Sequence, residues 1–491
     1  MRLYKNRYFL TAGSFAVLVF IFLFMVRVDL FEKLLSRPKT LSIQSITSPE
    51  DKENWMSIFQ NERRIGFSHS RFSVENDGYR LQETVHMRLN TMGMVQDIRL
   101  KTQTMLKADF SLNYFNFLIN SGRFRFRVEG SVSGDIITIK STSAGDTRTT
   151  DIKLKAKPYL LAGVTAAIAA TDLKAGEKYV FDVFDPATLG QSPLMVKIIG
   201  KEDLEILGSR VTATKISLQL KGTSQVAWIG ETGDVLREKG ILGIHLEKTS
   251  RDDALSGPAV DSGSDLTQIA SVASNIIIEN PDRLSALIIE VDGLPLKSIK
   301  LNGGRQILNG KILTIKKEST ANLAAEIREN NLGTLEKIYL KPTAFIQSDH
   351  QKIVTLAQKI AGNYSTPLNK IRALINWMNQ NIEKRPVLSL PNALSTLENG
   401  VGDCNEHAVL MAALARAAGI PCRIEAGLVY LRGRFYYHAW NLVYLGRWIT
   451  ADALFGQVPA DVTHIRLVTG SPRQQLDLMG IIGKIKLRII E

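Results

Sequence analysis

The sequence predicts an α+β chain: an N-terminal transmembrane helix, β-rich N-terminal and middle modules, and a C-terminal domain in which helices precede strands. Three observations carry this. An uncharged run opens the chain, the apolar pattern from Trp55 to about Leu340 is strand-like, and from Ser348 it turns helical. The length, 491 residues, suits roughly two to four domains. Hydrophobic residues make up 45% and charged residues 22%, which excludes global disorder and collagen-like repetition. Two cysteines, Cys404 and Cys422, are too few for a disulfide framework or a four-thiolate zinc site. The net charge of +13 suits an anionic neighbour. No block of consecutive basic residues supports a nucleic-acid partner.

The opening run is Tyr8 to Val26, bracketed by Arg7 and Arg27. As a helix it spans about 28 Å, close to the roughly 30 Å hydrocarbon core. Arg2, Lys5 and Arg7 precede it, and Val26-Arg27-Val28-Asp29 offers no small-residue cleavage site after it. The expectation is an uncleaved signal anchor over 1–38. It makes a single-pass membrane protein with the bulk of the chain extracytoplasmic, periplasmic or extracellular in a bacterium.

A polar linker with Pro49 follows over 39–53, then a β-rich module over 54–250. In Arg123-Phe124-Arg125-Phe126-Arg127-Val128 the period is two, which reads as a half-buried strand with a solvated arginine face. A short apolar helix is expected over Tyr159–Ala170, and Glu231-Thr232-Gly233-Asp234 marks a hairpin. A Ser-, Asp- and Gly-rich linker over 251–267 leads to a small β-rich module over 268–342, punctuated by Asp292-Gly293, Asn302-Gly303-Gly304 and Asn309-Gly310. The C-terminal domain runs over 343–475 and a tail over 476–491. In it, Ile353, Leu356, Ala357 and Ile360 share a helix face that Ser348 or Asp349 can cap. Thr366-Pro367 opens a second helix, and Asn392 caps a third that ends at Asn399-Gly400.

The chemistry concentrates after Gly400. Gly400-Val401-Gly402-Asp403-Cys404 leads into a helix that Gly419 and Pro421 terminate, so Cys404 sits at a helix N-terminus. Unpaired amides there favour a thiolate, and Gly402 leaves room for a substrate backbone. Two strands follow, Phe435–Leu445 and Trp448–Asp452, joined about Gly446. A tight hairpin at Leu445-Gly446 sets His438 directly opposite Asp452. Cys404, His438 and Asp452 then supply nucleophile, base and orienter. Trp440 shares the strand face of His438, as a pocket wall or as core.

Cys404 on a helix ending Ala417-Ala418-Gly419-Ile420-Pro421, then His438-Ala439-Trp440, Trp448 and Asp452, resembles the transglutaminase-like superfamily over roughly residues 345–470. The resemblance implies a papain-like core, with Cys404 as nucleophile, His438 as base and Asp452 as orienter. It departs at His407, where family members often carry an aromatic residue. The implied activity is acyl transfer on amide bonds of proteins or peptides through a thioester, to an amine or to water, without cofactor or metal.

Other readings stand beside it. Cys404, His407 and His438 are a possible zinc set. Glu406 reads as a solvated helix-face residue, and His464 with Asp461 as structural. Asn363-Tyr364-Ser365 fits a glycosylation sequon. The alternative function is a non-enzymatic envelope binding or scaffold protein that uses the β-rich modules. Cys404 and Cys422 lie at opposite ends of a helix about 21 Å long, so no disulfide joins them.

Overall fold

A computed structural model describes residues 50–491, apart from 123, 144, 172–173, 257–259, 295–298, 328–331, 388–389, 471–477, 479–480 and 482. Strands dominate it. A single 15-stranded sheet runs from Lys52 to Lys248. The chain meanders outward from strand Lys52–Gln60 to Asp146–Lys153, crosses by helix Leu161–Ala169, and returns strand by strand to Ile244–Lys248. That last strand pairs antiparallel with the first, Met56 against Lys248 and Gln60 against Ile244. The two halves therefore meet in the middle of one sheet.

Alternation explains the strands. Phe124, Phe126 and Val128 are buried while Arg125 between them is exposed, as the period of two requires. The crossing helix buries Val164, Ala167 and Ile168 against Phe181, Val196 and Ile216. Each fully buried valine, isoleucine or phenylalanine here contributes about 1.5–3 kcal/mol.

The predicted fold class is corrected at its N-terminal element. Among the described residues no helix is long and apolar enough to cross a membrane, and the large sheet dominates. The longest described helix, Pro367–Asn381, has 15 residues, about 22 Å, and carries Asn, Lys and Arg on its outer face. The run Tyr8–Val26 lies outside the described residues. The single-pass anchor and the extracytoplasmic placement drawn from it have no support in this fold.

After the large sheet the chain builds one further body. Helices Gln351–Ala361, Pro367–Asn381, Ala393–Asn399 and Cys404–Ala417 pack with a five-stranded sheet. Its strand order is Val272–Ala273, Arg434–Tyr444, Cys422–Leu431, Ile465–Thr469, with Trp448–Ala451 paired to Arg434–Tyr444. A four-stranded sheet joins Gln306–Asn309, Ile312–Lys316, Ala286–Asp292 and Lys486–Ile489. The stretch read as a tail thus returns as a strand, Val291 opposite Leu487. Leu287, Ile289, Leu313 and Ile315 of this small sheet share one core with Ile371, Met411 and Val443.

The large sheet touches this body beside the cysteine helix. Phe124 packs on Val387 and Val401, and Phe126 meets Phe345 at 6.2 Å between ring centroids. Arg148 pairs with Asp349 and His350 with Asp146. Asp349 is therefore occupied, and His350 caps helix Gln351–Ala361 in place of the expected Ser348 or Asp349.

Candidate active site

The cysteine helix is positioned by the turn before it. Helix Ala393–Asn399 is capped by Asn392 and ends at Gly400, whose φ of 63° lies in the left-handed region. Val401-Gly402 then pairs in parallel with Glu383-Lys384. Asp403 caps the next helix by accepting the Asn405 N–H at 2.8 Å, and the Glu406 carboxylate accepts the Asp403 N–H at 3.2 Å. This capping box corrects the reading of Glu406 as a solvated residue: it is 1% exposed. It also explains Gly402, where a Cβ would lie 2.3 Å from that of Glu406. The glycine makes room for the chain itself.

Cys404 opens the helix half-buried. The backbone N–H of Ala439, the residue after His438, acts on the Cys404 sulfur and favours the charged form. Farther along, Asn441 Nδ2 donates to Ala408 O at 2.9 Å, which fixes the helix on the histidine strand. Burial pushes the Cys404 thiol well above its ordinary value. The Asp403 and Glu406 charges add to this and the Ala439 N–H opposes it. This direction opposes the pull of the helix N-terminus toward a thiolate.

His438 and Asp452 form a buried pair, Nε2 to Oδ2 at 2.6 Å. They are not directly opposite. The observed register sets Asn441 against Ala451 and Tyr444 against Trp448, so the hairpin slips by two residues from the counted one. The turn takes in Leu445, Gly446 and Arg447, with the Leu445 N–H on Arg447 O at 2.8 Å. A slip of two keeps every side chain on its face, and Asp452 reaches His438 diagonally. Asp452 lies one residue beyond strand Trp448–Ala451, where it bridges to Gln457. The Phe455 N–H donates to its Oδ1 at 2.9 Å.

A second histidine shares this carboxylate. His464, 0% exposed, places Nε2 at 2.9 Å from Asp452 Oδ2 and Nδ1 at 3.2 Å from Asp461 Oδ1. Both ring nitrogens face carboxylate oxygens, which accept, so both carry protons. Burial lowers the His464 pKa, but hydrogen bonds and charges from Asp452 and Asp461 outweigh it and raise the pKa overall. For Asp452 burial acts upward. The interactions with His438 and His464 outweigh it and hold the carboxyl well below the usual range. Asp461 is held low in the same way, chiefly by His464 and Thr463. Sequence reasoning set His464 and Asp461 apart as structural. Their partner Asp452 lies 12 residues before His464, with no spacing signal to connect them.

Trp440 lies beneath the pair, 1% exposed, with its Nε1 on Glu425 Oε2 at 3.3 Å. Its ring lies 6.0 Å from that of His438 and 5.2 Å from that of His464. Phe455 stacks on His438 at 5.0 Å. His407 is buried, with Nδ1 at 2.8 Å from Asp403 O, and burial lowers its pKa. Among the described residues, the grouping close enough to hold a metal ion is His438, Asp452 and His464, not Cys404, His407 and His438. Those three side chains already satisfy one another through hydrogen bonds. Cys422 is free, buried beside Asn441, and burial pushes its thiol up to about 12.

Residues 354–453 match the family model of the transglutaminase-like superfamily. The C-terminal part of the chain carries a transglutaminase-like domain. No curated protein matches the chain. Among solved structures, a candidate cysteine protease from Cytophaga hutchinsonii aligns at 20% identity over 44% of this chain and 81% of its own, with a TM-score of 0.28. A β-barrel-like protein of a domain family of unknown function, DUF1849, from Brucella abortus aligns at 10% identity over 42% and 98%, with a TM-score of 0.33. The periplasmic domain of TgpA from Pseudomonas aeruginosa, bound to ethylmercury, aligns at 18% identity over 35% and 74%, with a TM-score of 0.24. The transglutaminase-like domain is thus placed by its family match and by the registers above.

Proposed function

We propose that the transglutaminase-like domain is a cysteine-nucleophile centre that transfers acyl groups from amide bonds of proteins or peptides. One observation carries this. His438 is tied at 2.6 Å to the buried carboxylate of Asp452, and the N–H of the next residue, Ala439, acts on the Cys404 sulfur. With Nε2 on Asp452, His438 keeps Nδ1 for the thiol. The Cys404 proton passes to Nδ1 as sulfur attacks the amide carbonyl. The backbone N–H of Cys404 steadies the oxyanion. The amine leaves with the proton from His438, and a thioester remains. A second amine, or water, gives its proton to His438 and attacks the thioester. Cys404 departs and regains that proton.

Burial raises the thiol, so the Cys404 proton has to be taken up as sulfur attacks, and His438 is placed to take it. Alkylation of Cys404 should therefore accelerate with pH to a midpoint above about 9, beyond the unperturbed cysteine value. Intact-mass kinetics measures this. A midpoint near 6 would overturn the upward shift of the thiol. Turnover is tested with a glutamine-containing peptide, with and without an added amine. Equal release of ammonia by wild type and Cys404→Ala would overturn the enzyme reading and favour a binding module.

A further inference from the structure

A cavity of about 400 Å³ lies between the small four-stranded sheet and the histidine-bearing sheet. That volume falls in the range of small-molecule sites. Six cations line it, Arg305, Lys316, Lys317, Arg423, Arg447 and Arg466, against two carboxylates, Glu318 and Glu425. Three of the arginines have structural duties. Arg305 donates to Ala460 O and His464 O, Arg447 to Ser319 O and Ala321 O, and Arg466 to Leu301 O and Lys300 O. These clips hold loops but bring no negative charge. Glu318 is occupied by Arg305 at 3.4 Å and by Thr450.

Arg423 has no such duty. Its guanidinium lies 4.7 Å from the Trp448 ring and 5.7 Å from the Tyr339 ring. The side chain is 18% exposed, and its buried Nε has no hydrogen-bond partner among the described residues. Glu425 is no closer than 3.9 Å and is shared with Arg466 at 3.8 Å, Trp440 and Thr469. A buried donor without an acceptor costs free energy that a ligand oxygen would recover. These two rings, 5.7 Å apart and perpendicular to each other, steady the fork beforehand. Lys316 and Lys317 line the cavity at exposed positions, with Lys317 Nζ donating to Asp282 O.

We infer that this cavity binds a small multiply charged oxyanion, a phosphate or polycarboxylate ligand, with Arg423 as its bidentate anchor. The site is separate from Cys404 and His438 and does not depend on the acyl-transfer reading. Direct binding tests it on the full chain at about 0.15 M salt, where exposed charges are screened beyond about 8 Å. Inorganic pyrophosphate and citrate serve as probes of the two chemistries, read by calorimetry. Saturable binding of one or both is expected, weakened about ten-fold or more by Arg423→Gln. The double variant Lys316→Gln/Lys317→Gln, at exposed positions that leave the fold intact, should weaken it about three-fold. No saturable binding of either probe, or equal binding by wild type and the lysine double variant, would overturn the site. If Arg423→Gln fails to fold, the lysine variant alone decides.

Discussion

The large sheet and the transglutaminase-like body treat charge in opposite ways. On the sheet, charged side chains form cross-strand ladders in solvent: Lys215 with Glu202 at 2.8 Å, Arg210 with Asp203 at 2.7 Å, His69 with Glu53 at 2.7 Å. Such pairs are screened and contribute little. In the C-terminal body Asp452, His464, Asp461, Glu406, Glu425 and His407 are all buried. Burying an ion costs several kcal/mol unless it is paired and hydrogen-bonded. That cost is concentrated in the C-terminal body, with Asp452 and His464 beside His438. The sheet holds one exception. Glu83 and Glu238 lie within electrostatic reach of each other, and burial, with the Glu83 charge, raises Glu238 to about 7.

The sharpest test of the contrast is His438→Ala. It should lower turnover by on the order of 10³-fold while leaving the melting transition of the large sheet in place. Equal loss of both would mean that His438 is structural. Next comes His464→Asn, which leaves Asp452 and Asp461 buried without their shared cation. Stability should fall by about 3–5 kcal/mol in denaturant melts, with the pH dependence of turnover displaced as well. A stability loss with an unmoved pH profile would reduce His464 to a scaffold residue.

Acid sharpens the comparison, because the two regions respond with opposite sign. Asp452 and Asp461 are held low, so their contribution is present above about pH 4 and is lost as pH falls further. Glu238 is raised, so its contribution is full below about pH 4.5 and is lost as pH rises to about 7. Glu238→Gln should therefore stabilise the sheet at pH 8 by on the order of 2 kcal/mol and do nothing at pH 4. Hydrogen exchange in strands Thr223–Gly230 and Val235–Lys239 reads this region by region, and unchanged protection at pH 8 counts against it. The smallest effect belongs to Asp203→Asn. On the exposed ladder it should leave the melting temperature unchanged.

Much of the C-terminal body was legible in the sequence because its signals are local. Asn392 and Thr366 cap helices through their side-chain oxygens, Pro367 and Gly400 act through the backbone, and each is found at the terminus expected of it. Phe124, Phe126 and Val128 announced a buried strand face by period alone. The hairpin count misplaced Asp452 by two residues, yet kept it on the right face. Facing depends on parity, and parity survives a longer turn.

Sequence by itself determined the order of the cysteine helix, the histidine strand and the aspartate, since these follow from caps, turns and alternation over short spans. Only the tertiary structure decided what surrounds them. Glu406 folds back to cap Asp403 and claims the space at Gly402. His464 returns 12 residues on to share Asp452. Burial then pushes the Cys404 thiol up, against the pull of its helix terminus. The helix dipole is local and visible in a string of residues. Desolvation depends on everything that packs around a group, and that exists only once the chain has folded.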